Sequence, residues 1–344
     1  MPTITSVLAD FNSLPITEHN AVKEAIINRC CNHISMEAFV ESERFKGGTV
    51  CPFCGGTHIV RNGKSRGKQR YVCRECGKSF FVTSNSIVSG TRKGIETWEQ
   101  FADCVLSSFS LRKTADICGI HYNTAFVWRH KVLDALQIMA NSVVLDGIIE
   151  ADETFFPVSY KGNHKRSKTF SMPRPAHKRG HCSSLRGVSR EKVCVPCAVN
   201  RDGLSIAKVA TLGRVSTKDL HKVYDGRIES GSTMVTDKLN SYCRFSKANN
   251  INLIQVQSGR AKKGIFHIQH INSFHSRLKQ FMNGFNGVSS KYLGNYLIWN
   301  NLINYSKEDL FEKREVLLRF VLTAYFHETA LQIPCRPSIE ELAA

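Results

Sequence analysis

The sequence predicts a mixed α/β chain assembled from more than one folding unit, and three observations carry that prediction. From Gly147 onward, short β-rich runs alternate with helical ones in the order three strands, helix, strand, helix, strand, helix. Between residues 47 and 82 the composition changes to glycine, basic residues and two Cys-x-x-Cys pairs. The length of 344 residues accommodates two or three domains at roughly 100–200 residues each, with ample core.

Lys and Arg number 47 against 29 Asp and Glu, a formal net charge of +18. Hydrophobic residues make up 42%, which excludes a disordered or fibrous chain. So basic a globular protein points to a polyanionic partner, and nucleic acid is the first candidate. Acidic membrane lipid is the rival, but no uncharged run approaches the ~18 residues of a spanning helix. Asp10 comes early and the first lysine is Lys23, unlike a secretion signal. The expectation is a cytoplasmic, nucleoid-associated protein with no membrane partner. The 13 cysteines are odd in number and include the adjacent Cys30 and Cys31, which suits reduced thiols.

Taken in order, residues 18–42 read as a helix, with Val22, Ala25, Ile26, Ile27 and Cys30 at near-helical spacing. Cys51-Pro52-Phe53-Cys54 and Cys73-Arg74-Glu75-Cys76 follow, with 18 residues between the pairs. Each pair turns two thiolates onto one face, and two pairs close a tetrahedral four-sulfur shell that suits structural zinc. Arg61, Lys64, Arg66, Lys68, Arg70, Arg74 and Lys78 surround them, with Tyr71, Phe80 and Phe81 interleaved. That composition points to phosphate contact by the zinc module, through Arg66, Lys68 and Arg70 in particular.

Residues 110–136 read as two helices about a turn at Gly119, the pattern of a helix-turn-helix. Tyr122, Asn123, Thr124 and Arg129 on the second helix are its candidate groove contacts. Beyond it, strands are expected at 148–156, 192–199, 204–211, 233–236 and 253–256, with helices opening at Ser216 and near Leu239. Residues 272–299 read as helical with a break at Gly284 and Gly287. Cys194 and Cys197 repeat the two-cysteine spacing, but strand alternation sends i and i+3 to opposite faces, which argues against a shared metal.

Asp152 sits inside an apolar strand, where an acid is costly unless paired or bound to metal. Asp237 ends the run Met234-Val235-Thr236, where a strand delivers it to a sheet edge or crevice. Asn272 and Lys279 are seven apart, nearly two helical turns, and so share a face. Glu150 shares a strand face with Asp152 and is open to two roles, an added metal ligand or a salt-bridging acid, the second being the more ordinary. Residues 155–192 hold ten Lys or Arg against Glu191 alone, half the net charge of the protein. Lys165, Arg166 and Lys168 are its candidate phosphate contacts.

On these residues the chain resembles the bacterial insertion-sequence transposases, in particular the zinc-ribbon-bearing group with a DDE-type catalytic domain in its Asp-Asp-Asn-Lys variant. "EADETFF" at 150–156, "VTDKLNSY" at 235–242, "INSFHSRLK" at 271–279, "GVSSKYLGNYLIW" at 287–299 and "IPCRPSIEEL" at 333–342 carry the likeness, with 34 residues between Asp237 and Asn272. The resemblance implies an RNase H-like mixed five-stranded sheet with flanking helices. It implies a helical segment at 1–46, a zinc ribbon at 47–85, a helix-turn-helix-like region at 86–140, a catalytic domain at 141–305 and a helical tail at 306–344. Asp152, Asp237 and Asn272 are then the catalytic residues and ligands of two Mg2+ ions, with Mn2+ as a substitute, and Lys279 contacts DNA. Cys51, Cys54, Cys73 and Cys76 hold Zn2+. The partners implied are double-stranded DNA, as terminal inverted repeats and target, and a second copy of the chain in a homodimer. The implied activity is metal-dependent DNA strand cleavage and strand transfer. Two alternatives stay open: a zinc-ribbon DNA-binding regulator without catalysis, and a nuclease of the same fold that cleaves without joining.

Overall fold

The structure is a computed structural model that describes residues 4–15, 18, 19, 22, 35–162, 185, 187–256, 264–304, 310–326 and 328–339. The chain divides into two compact units, Met1–Trp98 and Glu99–Ala344. The expected helical DNA-binding region at 86–140 is therefore shared between them.

In the first unit, α1 spans Ile4–Ser13 and α2 spans Met36–Arg44. Most of the helix expected at 18–42 lies outside the described residues. Its described end is α2, which starts at Met36 because the Ser35 hydroxyl accepts from Ala38 N at 3.2 Å. The hairpin of β1, Ile59–Ser65, and β2, Lys68–Cys73, pairs on with β3, Ser79–Phe81, in a three-stranded antiparallel sheet. Tyr71 and Phe80 belong to the core of this unit. They stack at 5.6 Å in the small core beside Cys51 and Cys73, and the Tyr71 hydroxyl donates to Glu41 Oε1 at 2.6 Å.

The second unit begins within α3, Ile95–Leu106, and continues through α4, Leu111–Cys118, and α5, Tyr122–Asn141. Gly119 ends α4 in the left-handed region, φ 56° and ψ 41°, as its place in the turn requires. Tyr122 and Asn123 are exposed at the start of α5. Arg129 is not, and the expectation that it contacts DNA is corrected. It is 1% exposed, its Nη2 donates to Phe109 O at 2.7 Å, and its guanidinium lies 4.6 Å over the Trp299 ring. A charged head enclosed this way is committed to holding α5 in place.

The second unit's strands include β4, Ile148–Pro157, β5, Lys192–Asn200, β6, Ser205–Ala207, β8, Thr233–Thr236, and β9, Asn252–Gln255. They form the central sheet in the order β6–β5–β4–β8–β9. The first three strands are antiparallel and β8 and β9 join β4 in parallel, which is the RNase H arrangement. The third expected strand is split, because β7, Thr211–Leu212, pairs separately with β5. Pro196 lies between the two pairings on β5 and has no N–H for the ladder. Helices α6, Thr217–Tyr224, and α7, Asn240–Ala248, follow β7 and β8. Ser216 and Asp219 form a reciprocal capping box at the start of α6. After β9 come α8, Gln269–Asn283, α9, Leu293–Asn304, and α10, Leu310–Thr323.

Both faces of the sheet are packed. Ile149, Ala151, Cys194, Met234, Tyr242 and Phe245 share one core, and Val195, Cys197, Ile271, Phe274, Leu278 and Leu297 share the other. Cys194 and Cys197 thus belong to different cores, as strand alternation requires. Among the described residues no helix is long and apolar enough to cross a membrane.

His130 on α5 is buried between Phe126 and Tyr292, at ring-centroid distances of 4.6 and 4.3 Å. Burial first, then the positive charges of Arg336, Arg129 and Lys291, pushes its pKa down to about 3. The unfolded chain, with an ordinary histidine pKa, binds this proton over the whole interval below about 6.5, so stability falls as pH falls through that window. Urea denaturation should show a loss from this residue of about 2 kcal/mol between pH 7 and pH 5, at about 1.4 kcal/mol per pH unit. The His130→Phe variant should lose correspondingly less over the same interval.

Candidate active site and metal centre

The two cysteine pairs are built alike. Gly55 N donates to Cys51 O at 3.0 Å and Gly77 N to Cys73 O at 2.9 Å, each glycine at positive φ four residues after the first cysteine. Cys51 N then donates to Gly56 O at 2.8 Å and Cys73 N to Lys78 O at 3.1 Å, which closes both turns. The result brings Cys51 Sγ within 3.7 Å of Cys76 Sγ and Cys54 Sγ within 3.6 Å of Cys73 Sγ, with all four sulfurs within 4.8 Å. A tetrahedral zinc with bonds of about 2.3 Å requires sulfur separations of about 3.75 Å, so the residues fit the ion. Four protein ligands leave no open coordination position, and the centre is structural.

The basic residues of this unit are partly engaged. Lys68 pairs with Glu37, and Arg70 Nε donates to Asn62 O at 3.0 Å. Arg66 is exposed at the hairpin tip, at φ 51°. Lys165, Arg166 and Lys168 lie outside the described residues.

The second centre forms on β4. Asp152 points from the sheet face that α8 covers, and Asp237 follows the last residue of the adjacent parallel strand β8. Ile148, Ile149 and Glu150 pair with Thr233, Met234 and Val235, so the same register carried two residues further sets Asp152 level with Asp237. Asp237 is held at its base, where its Oδ1 accepts from Leu239 N at 3.1 Å and its carbonyl from Gln255 Nε2 at 3.0 Å. Burial, followed by the Asp237 charge, pushes the Asp152 carboxyl up to about 6, while Lys279 pulls the other way.

Helix α8 supplies the opposite wall. His275 Nδ1 lies 3.8 Å from Asp152 Oδ2, and His275 is only 8% exposed. Burial, and then Lys279, pushes its pKa down to about 4, so at neutral pH it adds no charge. Asn272 is three residues before His275 and Lys279 four after, one stripe of the helix. Asn272 and Lys279 are both exposed at its ends. The structure therefore gathers Asp152, Asp237 and Lys279 within electrostatic reach and puts Asn272 on the same helical face.

One residue of this site, His275, escaped the sequence reading, and Glu153 lies on the other face of β4, as strand alternation predicts. His275 was legible only as the i+3 neighbour of Asn272, and nothing local distinguishes it from a core histidine. Glu153 belongs to the opposite sheet face, yet the charges of Asp152 and Asp237 reach it. Burial first, and those charges after it, pushes its pKa up to about 7 against the pull of its Tyr242 bond. Tyr242 on α7 donates to Glu153 Oε1 at 2.6 Å, tying β4 to the helix that follows Asp237. Crowded acids with hard oxygen atoms and partly suppressed ionisation fit a divalent cation, which relieves their repulsion.

Residues 144–298 match the family model of the ISXO2-like transposase domain, and residues 35–79 that of the transposase zinc-ribbon domain. An uncharacterized protein in transposable element ISH50 of Halobacterium salinarum is 21% identical over 257 residues, 74% of this chain and 84% of that protein. Among solved structures, the Mos1 transposase paired-end complex with left transposon end covers 66% of this chain and 76% of its own, at 11% identity and a TM-score of 0.26. The Mos1 strand transfer complex covers 66% and 75%, at 10% identity and a TM-score of 0.26.

The sulfur geometry makes one zinc per chain the expected content of the purified protein. Metal analysis of Cys73→Ser should find that zinc lost. Full zinc in the variant would place the ion elsewhere.

Proposed function

Since the chain belongs to the insertion-sequence transposases that join an ISXO2-like domain to a zinc ribbon, we propose that it cleaves DNA at its element's ends and joins the freed 3′-hydroxyls to target DNA. The level placement of Asp152 and Asp237 across β4 and β8, with Lys279 facing them from α8, is the observation that carries this reading. Asp152 and Asp237 would hold two Mg2+ ions, with Mn2+ as a substitute, and Asn272 would add a neutral oxygen ligand from the same wall. Ions bound there would supply activation of the attacking oxygen and stabilisation of the leaving one during in-line displacement at phosphorus. Water is the nucleophile for cleavage and the 3′-hydroxyl for joining.

The remaining residues bind and orient the substrate. Lys279 meets a phosphate beside the reacting centre, and His275 keeps the wall behind Asp152 uncharged. Arg66, Lys68 and Arg70 on the zinc ribbon contact the phosphate backbone, and Lys165, Arg166 and Lys168 add further phosphate contacts. The substrate is double-stranded DNA at the terminal inverted repeats. Two ends must be held together for joining, which calls for a homodimer on DNA, at work in the nucleoid of the cytoplasm.

Asp152→Ala and Asp237→Ala should each abolish cleavage of an element-end duplex while end binding, measured by gel shift, stays near wild type. Cleavage at the wild-type rate by both variants would remove them from the reaction.

The carboxamide of Asn272 is a weaker ligand than a carboxylate. Asn272→Ala should therefore slow cleavage and raise the Mg2+ concentration that gives half the maximal rate. A magnesium titration that overlays the wild type would take Asn272 out of the site.

A further inference from the structure

We propose that Glu150 is a positioning residue that serves as the N-cap of α8 and so sets Asn272, His275 and Lys279 against Asp152. The importance of that wall rests on the catalytic reading above. The role of Glu150 itself rests on the hydrogen bonds at the start of the helix.

An α-helix begins with N–H groups that have no partner inside it. The residue at the cap position of α8 is Ile268, which has no side-chain acceptor. Glu150, two residues before Asp152 on β4, supplies one from across the core. Its Oε2 accepts from His270 N at 2.7 Å and from Ile271 N at 3.1 Å. A carboxylate at this end of a helix is also favoured by the helix dipole.

The other carboxylate oxygen is engaged as well. Oε1 lies 2.7 Å from His270 Nδ1, 3.2 Å from His267 Nδ1 and 3.2 Å from Arg201 Nη1. Arg201 also donates from Nη2 to Ile265 O at 3.2 Å, which ties down the segment entering α8. A carboxylate that is 1% exposed needs a counter-charge and full hydrogen bonding, and both are present.

The same geometry decides against two metal roles. Glu150, His267 and His270 offer three ligand atoms within 4.8 Å, the grouping of a metal site. The Arg201 guanidinium already sits among them, however, with Nη1 at 2.9 Å from His270 Nδ1 and 3.1 Å from His267 Nε2. Nor does Glu150 have an oxygen left for ions at Asp152. Its contribution passes through α8, where Ile271 N is held one turn before His275. Displacing a catalytic wall by about 1 Å is enough to cost on the order of 100-fold in rate.

The test compares full-length wild type, Glu150→Gln and Glu150→Ala by hydrogen exchange over residues 269–276 and by a magnesium titration of cleavage. The Gln carboxamide oxygen still accepts both backbone N–H groups, and what the variant gives up is the Oε1 contact with Arg201, whose Nη2 keeps its bond to Ile265 O. Exchange in that variant should stay close to wild type, with cleavage retained and the same Mg2+ midpoint. Glu150→Ala should speed exchange of the first turn by about tenfold, the size of a lost cap, and cut cleavage on the order of 100-fold. Should Glu150→Ala not fold, Glu150→Gln decides alone. A raised Mg2+ midpoint in Glu150→Gln would make Glu150 a metal ligand and overturn the proposal. Unchanged first-turn exchange in Glu150→Ala would overturn it too. If the wild type cleaves nothing, the catalytic reading fails, and the exchange data still decide the cap.

Discussion

The parallel pairing of β4 with β8 is the constraint on which the rest of the site depends. Strands in a sheet lie about 4.8 Å apart, so a register that sets residue 150 beside 235 brings positions 152 and 237 to one level at neighbouring places. A slip by one residue would send Asp152 to the opposite face, into the core of Ile149 and Ala151. That core, and the nine-pair antiparallel ladder of β4 with β5, exclude the slip. The packing that stabilises the sheet thus also brings two acids together.

Half-buried acids repel one another, and the fold answers by giving each acid of β4 a partner outside that strand. Glu150 is matched with Arg201 and the first turn of α8, Glu153 with Tyr242 on α7, and Asp152 faces Lys279 on α8. These partners do more than offset charge. They fasten to the central strand both the helix that follows Asp237 and the helix that carries Asn272. A nucleic-acid enzyme needs this rigidity, because its substrate brings further negative charge to the same place.

Much of this was legible in the sequence, because the informative signals were local or periodic. The cysteine pairs announced their geometry through spacing and flanking glycines. The strand order followed from alternating apolar runs, and the shared face of Asn272 and Lys279 from helical repeat alone. What failed depended on contacts between distant segments. Arg129 looked like a groove contact on the second helix of a helix-turn-helix, and only the packing of Trp299 from α9 shows it enclosed. Glu150 stayed open between two roles because its partners lie 51 and 120 residues away, at Arg201 and His270. The break between β6 and β7 sits opposite Pro196, a residue whose missing N–H was visible but whose pairing was not.

Strand transfer, assayed with labelled 3′-hydroxyl element ends and a target duplex in the presence of Mg2+, separates a transposase from a regulator and from a nuclease. The wild-type protein should give a joined product, formed in Mg2+ and absent when the metal is chelated. End binding without any cleavage would make the chain a zinc-ribbon regulator, cleavage without joining would make it a nuclease, and either result would contradict the account.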